Sequence, residues 1–423
     1  MFTNTYLPQV GGVACSVDRF AQAFRERGHQ VLVVAPSYDD QPDEEEGVLR
    51  VPAVQNLNGS DFSMALPAHP GLARTMDAFE PEIIHTHHPF LLGTTALREA
   101  AAREIPIVFT CHSRYEFLTS YVPLEIPQMR AYAVKLTTGF ANLCDAVIAP
   151  SESISDVLRE RGVKARVAVI PTGLNLERFV TGDGDAVRRR MGIPDEAFTI
   201  GHVGRLGPEK NLGFLSEAVA RAMSNIPTAH FLVVGSGEAR AAMEPILAPA
   251  ADRVHFAGTL CGDDLRDAYH AMDVFVFAST VETQGVVLTE ALAAGRPVVA
   301  LDAPGAREVV DDEQNGRLLA EEDADEFADA IAWARAELDR RGEQIARQAR
   351  KSAEPFATDR CAEATLDLYC QTSPSDLGTT RFDRTLRPLL QSIRNEWEIW
   401  SNRLEAAAGV FSGDRSKSEE EQA

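Results

Sequence analysis

Short apolar runs rich in Val and Ile alternate along the chain with longer stretches whose apolar residues recur at helical spacing. VLVVAP at 31–36, EIIHTH at 82–87, IPIVFTCH at 105–112, DAVIAPS at 145–151 and VAVIP at 167–171 read as strands. Between the strands lie helical patterns. In Ser16 to Arg27, Val17, Phe20, Ala21 and Phe24 form an apolar stripe, and Gly28 stands where a left-handed cap ends a helix. Strand and helix alternating in this way predict parallel sheets with helical crossovers.

The pattern restarts after Pro171-Thr172-Gly173, with FTIGHVGR at 198–205, HFLVVGSG at 230–237, RVHFAG at 253–258, DVFVFAS at 273–279 and RPVVAL at 296–301. The expected fold class is therefore α/β, with two open Rossmann-like units over residues 1–172 and 173–372 and a Pro/Gly hinge between them. Ligands of such sheets bind beyond the carboxyl ends of the strands, and those ends can face one another across a cleft. Met1-Phe2-Thr3 reads as the tail of a first strand that is either short or lacks its beginning, through a misassigned start. At the other end, Leu386, Leu389, Leu390, Ile393, Trp397, Trp400 and Leu404 follow helical spacing. They predict a docking helix within an extension over 373–410, followed by a disordered acidic tail over 411–423.

Composition narrows the classes of function. With 423 residues, the chain exceeds what one core usually organises, and 45% hydrophobic against 25% charged residues is ordinary globular composition. A formal charge of −22 excludes nucleic acid as a partner, because phosphate contacts need clustered Lys and Arg. The charge is uneven: residues 1–172 carry 14 Lys and Arg against 20 Asp and Glu, net −6, leaving −16 for the remainder. The amino-terminal half is thus the better suited to approach an anionic surface. Cysteines at 15, 111, 144, 261, 361 and 370 show neither close pairing nor C-x-x-C spacing, so reduced and mostly buried thiols are expected. No signal peptide and no apolar run long enough to span a bilayer is evident, which places the expected location in the cytoplasm.

Candidate chemistry sits in the loops after strands. In Ser279-Thr-Val-Glu-Thr-Gln-Gly-Val-Val-Leu-Thr-Glu290, Glu282 follows a strand, Gly285 marks a turn and Glu290 lies about one turn into the next helix. Backbone N–H groups near Gly285 and Val286, at the positive end of the helix dipole, suit a diphosphate, and Gln284 beside them is a further donor-binding candidate. Glu282 can then face sugar hydroxyls while Glu290 accepts from a ribose. Val203-Gly204-Arg205-Leu-Gly-Pro-Glu209-Lys210-Asn211 places two cations between a strand and a helix. Arg205 can bind phosphate bidentately and Lys210 adds a point charge against a leaving diphosphate. Gly11-Gly12, in a loop before the first helix, permits close approach of a ligand to the backbone. His112 closes a strand at the sheet's carboxyl edge. His85, His87 and His88 lack the spacing of a metal site, and strand-end packing is the favoured reading.

The segment from Glu282 to Glu290 resembles the glutamate-x7-glutamate motif of retaining glycosyltransferase family 4, whose fold is GT-B: two Rossmann-like domains facing across a cleft. The resemblance implies that Arg205 and Lys210 hold the donor diphosphate. It places Gly12 against donor phosphates or acceptor, and His112 against donor sugar or acceptor. Phe2-Thr-Asn-Thr-Tyr-Leu-Pro-Gln-Val, His85-Thr-His-His-Pro-Phe, Cys111-His-Ser-Arg-Tyr-Glu116 and Cys144-Asp-Ala-Val-Ile-Ala-Pro-Ser-Glu152 look like the 1,2-diacylglycerol 3-alpha-glucosyltransferase branch, as does Thr283-Gln284 beside Glu282. The resemblance spans roughly 2–370 and leaves the extension unexplained.

The resemblance implies a nucleotide sugar donor, UDP-glucose in that branch, a lipid acceptor at the membrane surface, and neither metal nor other cofactor. The stretch from Ile126 to Cys144, with Arg130, Lys135, Tyr132 and Phe140 and no acidic residue until Asp145, has the composition of an interfacial helix and equally of one packed on its own domain. Reversible attachment to the inner face of the cell membrane follows from the first option. Three alternatives stay open at this point: the same chemistry on a soluble or inositol-lipid acceptor, a GT-B nucleotide-sugar epimerase, and a binding protein without turnover, against which the intact charged set speaks. Donor base, sugar and oligomeric state are open as well.

Overall fold

A computed structural model of the chain describes residues 1–9, 11–54, 64–65, 71–117 and 127–372. The expected helix within 373–410 and the tail over 411–423 lie outside these residues. Two compact units are formed among the described residues, one from Met1–Gly173 together with residues 361–372, the other from Leu174–Arg360. Residues 361–372, which the sequence pattern assigned to the second domain, therefore belong with the first unit.

In the first unit the strands are β1 (Val33–Pro36), β2 (Val48–Val51), β3 (Ala53–Val54), β4 (Met64–Ala65), β5 (Ile84–Thr86), β6 (Ile107–Thr110), β7 (Ala146–Ala149) and β8 (Arg166–Val169). Its helices are α1 (Gly12–Glu26), α2 (Leu72–Phe79), α3 (Leu92–Arg103), α4 (Pro127–Asn142) and α5 (Glu152–Glu160). β5, β6, β7 and β8 pair in that order, all parallel, and β1 pairs with β2 in parallel. Phe2 bridges Val34 of β1 and Thr86 of β5, so the expected first strand is present as a single bridging residue that knits the two groups together.

The second unit holds α6 (Glu177–Val180), α7 (Gly184–Met191), β9 (Phe198–Val203), α8 (Leu212–Asn225), β10 (Ala229–Val234), α9 (Arg240–Leu247), β11 (Val254–Gly258) and α10 (Gly262–Ala271). It continues through β12 (Val274–Phe277), α11 (Val286–Ala293), β13 (Val298–Leu301), β14 (Gly316–Leu319) and α12 (Ala324–Ala353). Its sheet is parallel throughout, in the order β11-β10-β9-β12-β13-β14.

Both faces of this second sheet are apolar because both are covered. On one face Ile200, Phe231, Val233, Val274, Val276 and Val299 pack with Leu215 and Val219 of α8 and Phe327 and Ile331 of α12. On the other, Val203, Leu232, Val234, Phe275, Phe277 and Val298 pack with Ala268 and Tyr269 of α10 and Leu288 and Leu292 of α11. The first unit is built alike, with Phe2, Val34, Ile84, Phe109 and Val147 sharing one cluster with Met76 and Leu97. Its opposite face is closed by Phe20 and Phe24 of α1 and by Cys361, Ala362 and Leu368 of a last helix, α13 (Thr358–Gln371).

Two expectations change in detail. The first helix starts at Gly12, four residues before the apolar stripe suggested, because its opening turn is small and partly exposed and leaves no hydrophobic signal. Of the six cysteines, Cys111, Cys144 and Cys361 are buried, Cys15 is half-buried, and Cys261 and Cys370 are exposed, so the thiols are not mostly buried.

Candidate active site

The loops at the carboxyl ends of β9 and β12 carry most of the candidate residues. From Val203 the chain runs through Gly204 and Arg205 into a single 3-10 turn, Pro208–Lys210, and Asn211 at φ 54° opens α8. From Phe277 it runs through a buried Ser279 to Glu282, Thr283 and the buried Gln284, then into α11. These two loops meet. Lys210 Nζ donates to Glu282 Oε1 across a sequence separation of 72, and the two side chains remain 20% and 17% exposed, enough to exchange partners with a ligand. Ser279 Oγ donates to the backbone carbonyl of Glu209 at 3.4 Å, a second tie between the loops.

Arg205 is half-exposed and pairs with Glu209 at 2.6 Å. The two cations that the sequence singled out are thus each held by a carboxylate, in positions where a more highly charged anion could take that carboxylate's place. Under them lies His202, fully buried, with Nδ1 donating to the carbonyl of Val276 at 3.1 Å. Burial lowers its pKa to about 4, so it adds no charge to the site at neutral pH.

Gly285 caps α11 from the left-handed region, at φ 67°, and α11 has no side-chain cap. A β-carbon at Gly285 would stand 2.7 Å from Leu288 Cδ1 and 3.0 Å from the carbonyl oxygen of Gly305. Gly305, at φ 87° in the loop after β13, is equally constrained, since a β-carbon there would approach Glu282 Cβ to 2.8 Å. Backbone meets backbone at this point, and the position of Glu282 is set by both loops. The first N–H groups of a helix have no intrahelical acceptor, so the start of α11 at Val286 is a place for negative charge. Glu290, the fifth residue of α11, is half-buried and accepts a hydrogen bond from the Tyr269 hydroxyl at 2.7 Å. Tyr269 and Gly305 escaped the sequence reading. Neither stands in a recognisable motif, and each acts through a partner some twenty positions away.

The first unit presents a different chemistry. His112 lies just past β6, buried, with Nε2 at 2.9 Å from His87 Nδ1. His85 is held between the hydroxyls of Thr110 and Tyr369, each at 2.6 Å, and His88 Nδ1 accepts from the backbone N–H of Asn4 at 3.1 Å. Strand-end packing describes these three. Among the fully buried ring nitrogens of this cluster, His87 Nε2 has no protein partner. Desolvation lowers the pKa of His88 and of His112 to about 3 and pushes His85 and His87 well below 6.5, so all four rings are neutral. In the His87–His112 pair one nitrogen therefore donates and the other accepts.

Gly12 is the first residue of α1, after Gly11 as N-cap, and no side chain caps this helix. A β-carbon at Gly11 or at Gly12 would meet nothing within 4 Å, so the start of α1 is open. The loop before it is braced by groups that no motif announced. Tyr38 Oη accepts from the Tyr6 N–H and bonds Gln9 at 3.0 Å, and Arg50 donates to the carbonyl of Leu7 at 2.6 Å. A cavity of about 370 Å³ lies at the amino-terminal ends of the strands of this unit, lined by Leu32, Ile83, His85 and Tyr369 among others, away from His112 and Gly12. In α4, Arg130 and Lys135 are exposed while Thr137, Phe140 and Ala141 are buried, so the helix packs on its own unit through its later turns. Among the described residues no helix is long and apolar enough to cross a membrane.

Comparison with known proteins decides the family. Residues 10–178 match the model described as Glycosyltransferase Family 4, and residues 197–336 match Glycosyl transferases group 1. A GDP-mannose-dependent alpha-mannosyltransferase of Mycobacterium tuberculosis is 32% identical over 82% of this chain and 90% of its own. The chain belongs to glycosyltransferase family 4. It is an enzyme that transfers a hexose. An alpha-monoglucosyldiacylglycerol synthase of Streptococcus pneumoniae is 30% identical over 75% of this glycosyltransferase and 74% of its own length. The crystal structure of Anabaena HepE in complex with UDP-glucose superposes with a TM-score of 0.69, at 21% identity, over 88% of this chain and 99% of that one. That likeness gives the enzyme a GT-B fold.

Proposed function

We propose that this glycosyltransferase moves a hexose from a nucleotide diphosphate sugar, UDP-glucose, to a lipid acceptor such as diacylglycerol, with retention at the anomeric carbon. The observation that carries the reading is the Lys210–Glu282 pair beside the left-handed Gly285 and the start of α11. It puts a cation, a carboxylate and helix N–H groups at one place, the set that a sugar diphosphate needs. In this reading Arg205, Lys210 and the N–H groups of Gly285 and Val286 take the diphosphate, with Gln284 beside them. Glu282 leaves Lys210 for the sugar hydroxyls and Glu290 receives the ribose.

The acceptor hydroxyl attacks from the face that the diphosphate leaves, and a departing phosphate oxygen takes its proton. The bond from the anomeric carbon to the phosphate oxygen breaks as that to the acceptor oxygen forms, and no covalent enzyme intermediate is required. Two side-chain cations and a helix terminus neutralise the developing charge, so transfer is expected to proceed without a metal. Neutral His112 serves as a hydrogen-bond partner for donor sugar or acceptor, and the open start of α1 at Gly12 lies against phosphate or acceptor. The resemblance to the pneumococcal synthase supports the lipid acceptor, and the exposed Arg130 and Lys135 of α4 suit reversible contact with an anionic membrane on its cytoplasmic side.

One observation favours a second donor. The mycobacterial relative, named for GDP-mannose, aligns with more of this chain than the pneumococcal one. Purified enzyme incubated with UDP-glucose, UDP-galactose, UDP-glucuronate and GDP-mannose, with and without liposomes containing diacylglycerol, separates these cases. Labelled lipid from UDP-glucose in the presence of a chelator is the expected outcome. Lipid product from GDP-mannose alone replaces the donor, donor hydrolysis without lipid product removes the lipid acceptor, and an isomerised donor points to an epimerase.

A further inference from the structure

Tyr269 is out of character with the helix that bears it. α10 reads GDDLRDAYHA, mostly polar, yet Tyr269 in its last turn is fully buried and ranks among the largest side chains with no exposure. Its ring packs edge-on against Phe179 and tilted against Phe275, with both centroids 5.8 Å away. A phenylalanine would satisfy those contacts. The hydroxyl is what needs explaining, because a buried O–H must find an acceptor.

Its acceptor is Glu290 Oε2, 2.7 Å away, at the other end of the segment that begins with Glu282. Burial, then the charge of Glu290, raise the tyrosine pKa well above 10, so the phenol keeps its proton and donates at any working pH. The direction of the bond is therefore fixed, from tyrosine to carboxylate. A glutamate on a helix surface samples several rotamers and loses that freedom when it binds. Here one oxygen is anchored to a ring that cannot move, and the carboxylate is ordered before any ligand arrives.

We propose that Tyr269 is a positioning residue for donor recognition: by holding Oε2 of Glu290 it presents that carboxylate to the ribose hydroxyls of the nucleotide. The proposal rests on the reading of Glu290 as the ribose acceptor. It assigns Tyr269 no contact with the donor, and it implies that this chain discriminates ribose from deoxyribose partly through a residue in its core.

The test measures binding of UDP and of 2′,3′-dideoxy-UDP, with GDP and its dideoxy form in parallel because the ribose is common to both bases, on the full chain and on Tyr269→Phe, Glu290→Gln and the double variant. Tyr269→Phe is expected to weaken binding of the ribose form about tenfold, on the order of one hydrogen bond to a charged group, and to leave the dideoxy form unchanged. Donor KM should rise by the same factor with kcat nearly constant, and the double variant should bind no worse than Glu290→Gln. Equal weakening of ribose and dideoxy forms in Tyr269→Phe would mean that the hydroxyl serves only packing, and an unchanged Tyr269→Phe would mean that it is idle; either overturns the proposal. If instead Glu290→Gln keeps the full preference of the unaltered chain for ribose over dideoxyribose, the assignment of Glu290 itself is lost, a different result from failure at Tyr269 alone.

Discussion

Each unit has its own parallel sheet and places polar side chains at the carboxyl edge of it, yet the two treat charge in opposite ways. At the end of β6 in the first unit, His112 and its neighbours His85, His87 and His88 are buried and neutral, bonded to one another and to hydroxyls. At the ends of β9 and β12 in the second, Arg205 and Lys210 are partly exposed and already paired with carboxylates. A surface meant for a diphosphate has to keep its cations accessible and exchangeable, whereas one meant for hydroxyls works through uncharged donors and acceptors that desolvation holds in one state. Topology alone does not tell the two apart; burial does.

Acid should break the comparison most sharply. A histidine whose folded pKa lies below its unfolded value of about 6.5 contributes stability that is complete above 6.5 and is lost as pH falls from there toward the folded pKa, at up to about 1.4 kcal/mol per pH unit. The first unit has four such rings and the second has one that is fully buried, His202, beside partly buried His230, His255 and His270. Hydrogen exchange, corrected for intrinsic rates, should therefore show peptides of β5 and β6 opening between pH 6 and 4.5 before those of β9 and β12. Simultaneous opening would contradict neutral packing of the cluster.

The next effect is on turnover. Lys210→Ala should lower kcat by on the order of a hundredfold, and Arg205→Ala by somewhat less given its exposure, with little change in thermal stability. Near-normal rates in both would remove the diphosphate from these residues. The His112 ring should contribute no ionisation to the pH–rate profile between 5 and 8, since its pKa is about 3. A limb near 6.5 that disappears in His112→Asn would show that the ring charges in the working enzyme. Smallest is Tyr369→Phe, which removes one hydroxyl from His85 and should cost about 1 kcal/mol, a few degrees in melting temperature.

Much of this architecture could be read before any coordinates. All ten apolar runs became strands, and the eight-residue spacing from Glu282 to Glu290 located a loop and a helix because both are local features. β2, β3, β4 and β14 were not foreseen: the apolar signal of β2 (VLRV) and β14 (GRLL) is diluted by an arginine, and β3 and β4 are only two residues long. The site was legible in its ends and illegible in its supports. Lys210 meets Glu282, Tyr269 meets Glu290 and Gly305 backs Glu282 only after folding, and such pairings leave no period in the sequence. The same holds for α13, whose Cys361 and Leu368 complement Phe20 and Phe24 from the far end of the chain.

That last helix has a consequence for the order of synthesis. The first unit begins at residue 1 but cannot close its α1 face until residues after Cys361 have been made, by which time all of Leu174–Arg360 has been synthesised. At ordinary rates of 5–20 residues per second this is a wait of roughly ten to forty seconds, with Phe20 and Phe24 uncovered by their partners. The unit translated first is thus the one completed last, and a ribosome that stalls within the second unit releases a first unit lacking part of its core.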